Sequence, residues 1–247
     1  MIAPIQRTAF DLNFRLFRIP VRVHPTYWLV SLLFVAYLPI RLWPILIGCM
    51  FLSLLAHEMG HALTFRRFRM DSAIVLYSFG GLAIPEGRLP ERSQRILVTL
   101  AGPATNFLIA GIAWGSNFVQ PWADSTNPYL FIFYWALFYI NLAWGIINLL
   151  PVYPLDGGQV SREVWLKYRP GMGVIYALRM SFIAAVAFSA YSFGCYFNVI
   201  PAALTIDWLR TGLFGAILFA ILAVNNYQEL QNETRRGSYW NDREPWR

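Results

Sequence analysis

The chain has 247 residues, 57% of them hydrophobic, 17% aromatic and only 13% charged. A single soluble domain has no use for that much apolar surface, so an ordinary soluble enzyme is excluded and a polytopic membrane protein is expected. The net charge of +7 does not mark a nucleic-acid binder, because the arginines flank apolar segments and match no nucleic-acid-binding fold; they read as topology signals facing anionic lipid.

In chain order, residues 18–24 alternate polar and apolar and are expected to form a strand at the membrane interface. Apolar runs then predict about six transmembrane helices, at residues 26–40, 43–65, 95–117, 129–150, 174–197 and 204–225. The first is short for a full crossing, and no A-x-A-like cleavage site follows it, so it is expected to stay as an anchor. Residues 72–85 read as strand, Gly80-Gly81 turn, strand. The expected fold class is thus an all-α polytopic membrane protein with a small membrane-embedded sheet or hairpin beside the second helix. The polar tail from Asn226 reads as solvated chain or a helix end, which divides the chain into a membrane domain, 1–225, and a cytoplasmic tail, 226–247. Cys49 and Cys195 lie in separate apolar segments, and no bridge is expected between them.

The basic residues set an orientation. Arg7, Arg15, Arg18 and Arg22 precede the first span; Arg66, Arg67, Arg69, Arg88 and Arg92 separate the second and third. Arg162, Lys167 and Arg169 separate the fourth and fifth, and Arg235, Arg236, Arg243 and Arg247 follow the sixth. The alternate loops hold only Arg41 and Arg210. Both termini are therefore expected in the cytoplasm.

Within the second span lies His57-Glu58-Met59-Gly60-His61. Residues four apart share one helix face, so the two histidines are placed to grip one metal ion, with Glu58 beside them to take a proton from water. Ionisable groups inside a spanning helix are costly and mark function. His61 and His57 precede Arg66 by about 8 and 13 Å of helix, which puts the site inside the bilayer near the cytoplasmic side. A catalytic zinc takes three protein ligands and a water. The remaining histidine, His24, is expected at the cytoplasmic mouth, either near the site or as an interfacial residue. An acid is the better third donor. Asp124 and Asp207 fall on the outer side, and Asp11, Glu91 and Glu163 lie among arginines in wet loops. Asp156 follows the fourth span in a Pro151, Pro154 and Gly157-Gly158 context that stops the helix and allows a tight turn with positive φ, returning one carboxylate to the membrane. Asp71 and Glu86 are the competing donors.

Taken together, these residues resemble the site-2 protease family of intramembrane zinc metalloproteases. The likeness rests on His57-Glu58-x-x-His61, on Asn148-x-x-Pro151-x-x-Pro154-Leu155-Asp156-Gly157-Gly158, on Ala101-Gly102-Pro103-x-x-Asn106, on the Gly80-Gly81 turn and on Val21-Arg22-Val23-His24-Pro25, and runs from about residue 17 to 165. The resemblance implies one zinc ion per chain held by His57, His61 and Asp156, with Glu58 as general base and Asn148 bonding substrate or the developing oxyanion. It implies hydrolysis within or near the transmembrane segment of a membrane-protein substrate, in what would be a prokaryotic cytoplasmic membrane. No appended regulatory domain is expected in the chain. Asn106 and Asn141 are expected to pack helices.

Two rivals remain at this point. A membrane zincin cutting soluble ends of lipidated proteins would be expected to draw a glutamate ligand from another helix. A catalytically inactive metal-binding scaffold or zinc carrier would need the ligands but no base, and Glu58 is intact. A substrate unwound from its helix would have to satisfy its backbone groups; the 72–85 hairpin is expected to do so by taking it on as an added strand, with proline at Val75 or Leu76 disturbing that edge.

Overall fold

The computed structural model describes residues 6–78, 80–201 and 212–241, with side chains through residue 235. Asp207, Arg210, Arg243, Arg247 and the first part of the expected sixth span lie outside them, as does the side chain of Arg236. Among the described residues, five helices are long and apolar enough to cross a membrane: Ile40–Arg67, Arg92–Ser116, Pro128–Asn148, Gly173–Tyr196 and Gly212–Arg235.

The expected first span is cut short. Helix α1, Pro25–Val35, has 11 residues, about 16 Å of rise against a hydrocarbon core of about 30 Å. Pro39 ends it: proline lacks the N–H a helix needs and disfavours helix in the residue before it. A 3-10 turn, Ile40–Leu42, then leads into α2, Trp43–Arg67.

The chain divides into two units near Gly145. The first contains a four-stranded sheet, in order β1-β2-β3-β4, of Leu12–Leu16, Ile19–Val23, Ser72–Tyr77 and Gly80–Pro85. Strands β2 and β3 run parallel, with Val21 opposite Ile74 and Val23 opposite Leu76; α1 and α2 form the crossover between them. The other pairs are antiparallel. The sheet buries Ile19, Val21, Val23, Ile74 and Leu76 against Leu54, Leu55, Met59 and Ala62 of α2. The apolar alternation of β2 thus fastens the sheet to the helix that carries the histidine pair.

Two expectations change here. Strand β1 has no sequence signal at its turn, because both central residues of the hairpin, Phe17 and Arg18, have positive φ (49° and 66°), a conformation usually signalled by Asn-Gly. Arg66 donates to the Phe17 carbonyl. Below the turn Arg22 pairs with Asp11 at 3.0 Å. The Thr8 hydroxyl foremost, then Arg22, holds the Asp11 carboxyl below its ordinary value. The second change concerns the hairpin. Its turn is at Ser78, Gly80 opens β4 with φ 129°, and Gly81 is already paired with Leu76. Strand β3 is interior to the sheet, so Val75 and Leu76 are no edge; among the described residues the edge strand on this side is β4.

Helices α3, Arg92–Ser116, and α4, Pro128–Asn148, complete this unit as far as Gly145. The second unit holds α5, Asp156–Tyr168, α6, Gly173–Tyr196, and α7, Gly212–Asn241. Gly173, Ala177, Ser181, Ala185 and Ser189 recur every fourth residue on α6 and are buried, the small-residue stripe that lets membrane helices approach closely. Ser189 donates to the Ala216 carbonyl of α7 at 2.8 Å. Helix α7 continues unbroken past residue 226 through Asn241.

Candidate metal centre

His57 and His61 stand one turn apart on α2 and are both buried. Their rings are held from behind. His61 Nδ1 lies 2.7 Å from the Val98 carbonyl, and His57 Nδ1 lies 2.6 Å from Asn106 Oδ1, both on α3. A carbonyl oxygen only accepts, so each Nδ1 carries the proton and each Nε2 presents a lone pair. The two Nε2 atoms are 3.1 Å apart. Two lone pairs facing each other repel, and a shared cation removes that repulsion. Asn106, expected only to pack, is thus the partner that orients one of the two rings. An asparagine in the middle of an apolar span was the signal for it.

Two glycines make room. A Cβ on Gly102 of α3 would run into the His61 ring and come within 2.8 Å of His57 Nε2. A Cβ on Gly81 of β4 would collide with the Glu58 side chain. Glu58 is 4% exposed and lies against the hairpin. Burial foremost, then the Glu58 carboxylate, pushes the Tyr77 phenol above its ordinary value.

Asp156 is the first residue of α5 and is 6% exposed. The turn before it includes a cis Tyr153–Pro154 bond and is tied down on both sides. The Tyr153 N–H donates to Ser181 Oγ of α6 at 3.1 Å, and Asn226 Nδ2 of α7 donates to the Tyr153 carbonyl at 2.6 Å. Val152 is fully buried among Ala185, Phe219 and Ala223. The expectation of positive φ at Gly157-Gly158 is corrected: both residues are helical. They are small because a Cβ on either would strike the backbone of residues 149–153.

His57 and His61 in the first unit and Asp156 in the second are all buried, and each carries an atom able to hold a metal ion. Two neutral imidazoles and one carboxylate suit a catalytic zinc, with a coordination position left for water. Asp71 and Glu86, the competing donors, are exposed. His24 caps α1: its Nδ1 accepts from the Thr26 N–H at 3.3 Å and lies 2.8 Å from Thr26 Oγ, which in turn accepts from the Ser78 N–H. Asn148 is half-buried as the last residue of α4.

Comparison with known proteins shows the family. The model of Peptidase family M50 matches residues 45–129 and 119–188, more than half of the chain. Rip3 of Mycobacterium tuberculosis is 31% identical over 147 residues, covering 57% of this chain and 37% of that protein. A zinc metalloprotease of Methanocaldococcus jannaschii is 26% identical over 159 residues, covering 62% of this chain and 45% of that one. Stage IV sporulation protein FB of Bacillus subtilis is 28% identical over 212 residues, covering 85% and 65%. The chain thus spans less than half the length of the first two. The site-2 protease structure from Methanocaldococcus jannaschii shares the fold, with a TM-score of 0.56 at 20% identity over 87% of this chain and 95% of that one. With its apolar helices and its histidine pair, this chain is an integral membrane protein that belongs to peptidase family M50, the site-2 protease family.

Proposed function

We propose that the chain is a zinc metalloendopeptidase that hydrolyses a peptide bond within or near the transmembrane segment of a membrane-protein substrate. His57, His61 and Asp156 hold the zinc, Glu58 is the general base, and Asn148 bonds substrate or the developing oxyanion. The observation that carries this reading is the buried histidine pair, each ring held through Nδ1 so that Nε2 is the ligand atom, with Glu58 next to it on an apolar helix.

Bound zinc supplies Lewis acidity toward water and the scissile carbonyl. Glu58 takes the proton from the attacking water and passes it to the leaving amine. The protonated Nδ1 atoms keep both rings turned so that Nε2 is the ligand atom. The substrate has to leave its helix first, and each unpaired backbone group costs several kcal/mol in lipid. Among the described residues strand β4 is an edge of the sheet, and its Gly81 lies against Glu58; a segment added to β4 would be held extended beside the base. The arginine distribution supports cytoplasmic termini.

Zinc content of purified variants tests the role assignment. Glu58→Gln should keep one zinc per chain and lose proteolysis. Asp156→Ala should lose both, since two ligands remain of three. Full metal loss in Glu58→Gln, or full retention in Asp156→Ala, would reverse the assignment.

A further inference from the structure

Resting on the reading that His57 binds zinc through Nε2, we propose that Asn141 of α4 is a positioning residue for that metal. It belongs to a buried relay that carries a fixed hydrogen-bond direction across three helices to the His57 ring.

The relay starts at a backbone carbonyl. Asn141 Nδ2 donates to the Leu137 carbonyl at 2.8 Å and to Ser53 Oγ of α2 at 2.9 Å. Asn141 Oδ1 therefore faces the other way and accepts from Asn106 Nδ2 at 2.7 Å. That same Nδ2 lies 3.3 Å from the Ser53 carbonyl. With its donor side used twice, Asn106 turns Oδ1 toward His57. The ring must then carry its proton on Nδ1.

The opposite direction is closed. Turning the Asn106 amide over would aim its Oδ1 at the Ser53 carbonyl, an acceptor facing an acceptor. Turning Asn141 with it would aim a second oxygen at the Leu137 carbonyl. Asn106 and Asn141 are both fully buried and Ser53 is 1% exposed. Water therefore does not rescue a broken link, and an unpaired polar group there is costly. Were the direction reversed, the imidazole proton would sit on Nε2 and occupy the lone pair that ligates. Ser53 Oγ is different, because a hydroxyl both donates and accepts and so selects no direction.

These roles predict a graded result. Zinc affinity of the full chain in detergent, read by competition with a chromogenic chelator, should fall about tenfold or more in Asn141→Leu, the range typical of groups that orient a metal-bound histidine. Asn106→Leu should fall at least as far, while Ser53→Ala, which keeps the carbonyl that receives Asn106, should stay within about threefold. The melting temperature of each zinc-free variant reports structural damage separately. Should Asn141→Leu fail to fold, Asn141→Ser carries the same expectation, because its side chain is too short to bridge Asn106 and the Leu137 carbonyl. Parent-like zinc affinity in a folded Asn141 variant overturns the relay and leaves zinc hydrolysis standing. So does an equal loss in Ser53→Ala and Asn141→Leu. A parent chain that binds no zinc overturns both.

Discussion

At the scale of single residues, the histidine pair is defined as much by what lies behind and beside it as by its own spacing. The Val98 carbonyl and Asn106 fix which nitrogen is available, and Gly102 leaves the gap into which both rings project. Adding one methyl at Gly102 would press on the ligand atoms, with the backbone of a packed helix unable to yield. Gly102→Ala should therefore lower zinc affinity by about tenfold or more while α2 and α3 remain helical by circular dichroism. Unchanged affinity would mean that the rings have room to move. The residues proposed as ligands and base are legible in the sequence because a charge or an imidazole inside an apolar run has few idle explanations. The supports were less legible. Asn106 looks the same in sequence whether it packs two helices or orients a ligand, and only its distance to His57 Nδ1 separates the two. The part assigned to Val98 is played by its backbone, which no side-chain pattern reveals.

At the scale of elements, the turn ahead of α5 determines where Asp156 sits. It has no regular structure of its own and depends on Ser181, Asn226 and the burial of Val152. Asn226→Leu would leave the Tyr153 carbonyl unpaired in an apolar setting, a cost of about 1–3 kcal/mol. Thermal unfolding should register that loss, and zinc content should fall in the same variant, since Asp156 is three residues beyond the anchored carbonyl. Loss of stability with full zinc content would show that the turn has other supports. The sheet gives a second contrast. Ala83→Pro removes an N–H on the side of β4 away from β3 and should weaken cleavage with zinc retained. Val75→Pro breaks pairing in the middle of the sheet and should unfold it against α2. Equal behaviour of the two would count against β4 as the docking edge. Alternation in β2 and the glycine pair made most of this sheet readable. Strand β1 is not legible because its turn uses Phe17 and Arg18 where glycine or asparagine is usual, and the end of α1 is not legible from apolarity because that continues past the proline that ends it. The start of helix α5 is not legible because two glycines after Asp156 suggest a loop, whereas here they lie flat against the turn that precedes them.

For the whole molecule, five long apolar helices and the arginines at alternate connections make a topology that labelling can test. The native cysteines are buried and give little background. Cysteines placed at the exposed Glu86 and Arg169 should react with an impermeant reagent from the cytoplasmic face, and those at Gln120 and Asn198 from the other. Reaction of Gln120 from the cytoplasmic face would overturn the orientation and the depth expected for the metal. The central claim is that this buried centre cuts membrane segments. The most direct measurement is a quantitative survey of new peptide termini in membranes from cells making the parent chain or Glu58→Gln at equal levels. Termini that fall within or beside apolar spans should be present with the parent and absent with a Glu58→Gln protein that still carries one zinc per chain. The same termini in both membranes would contradict the account.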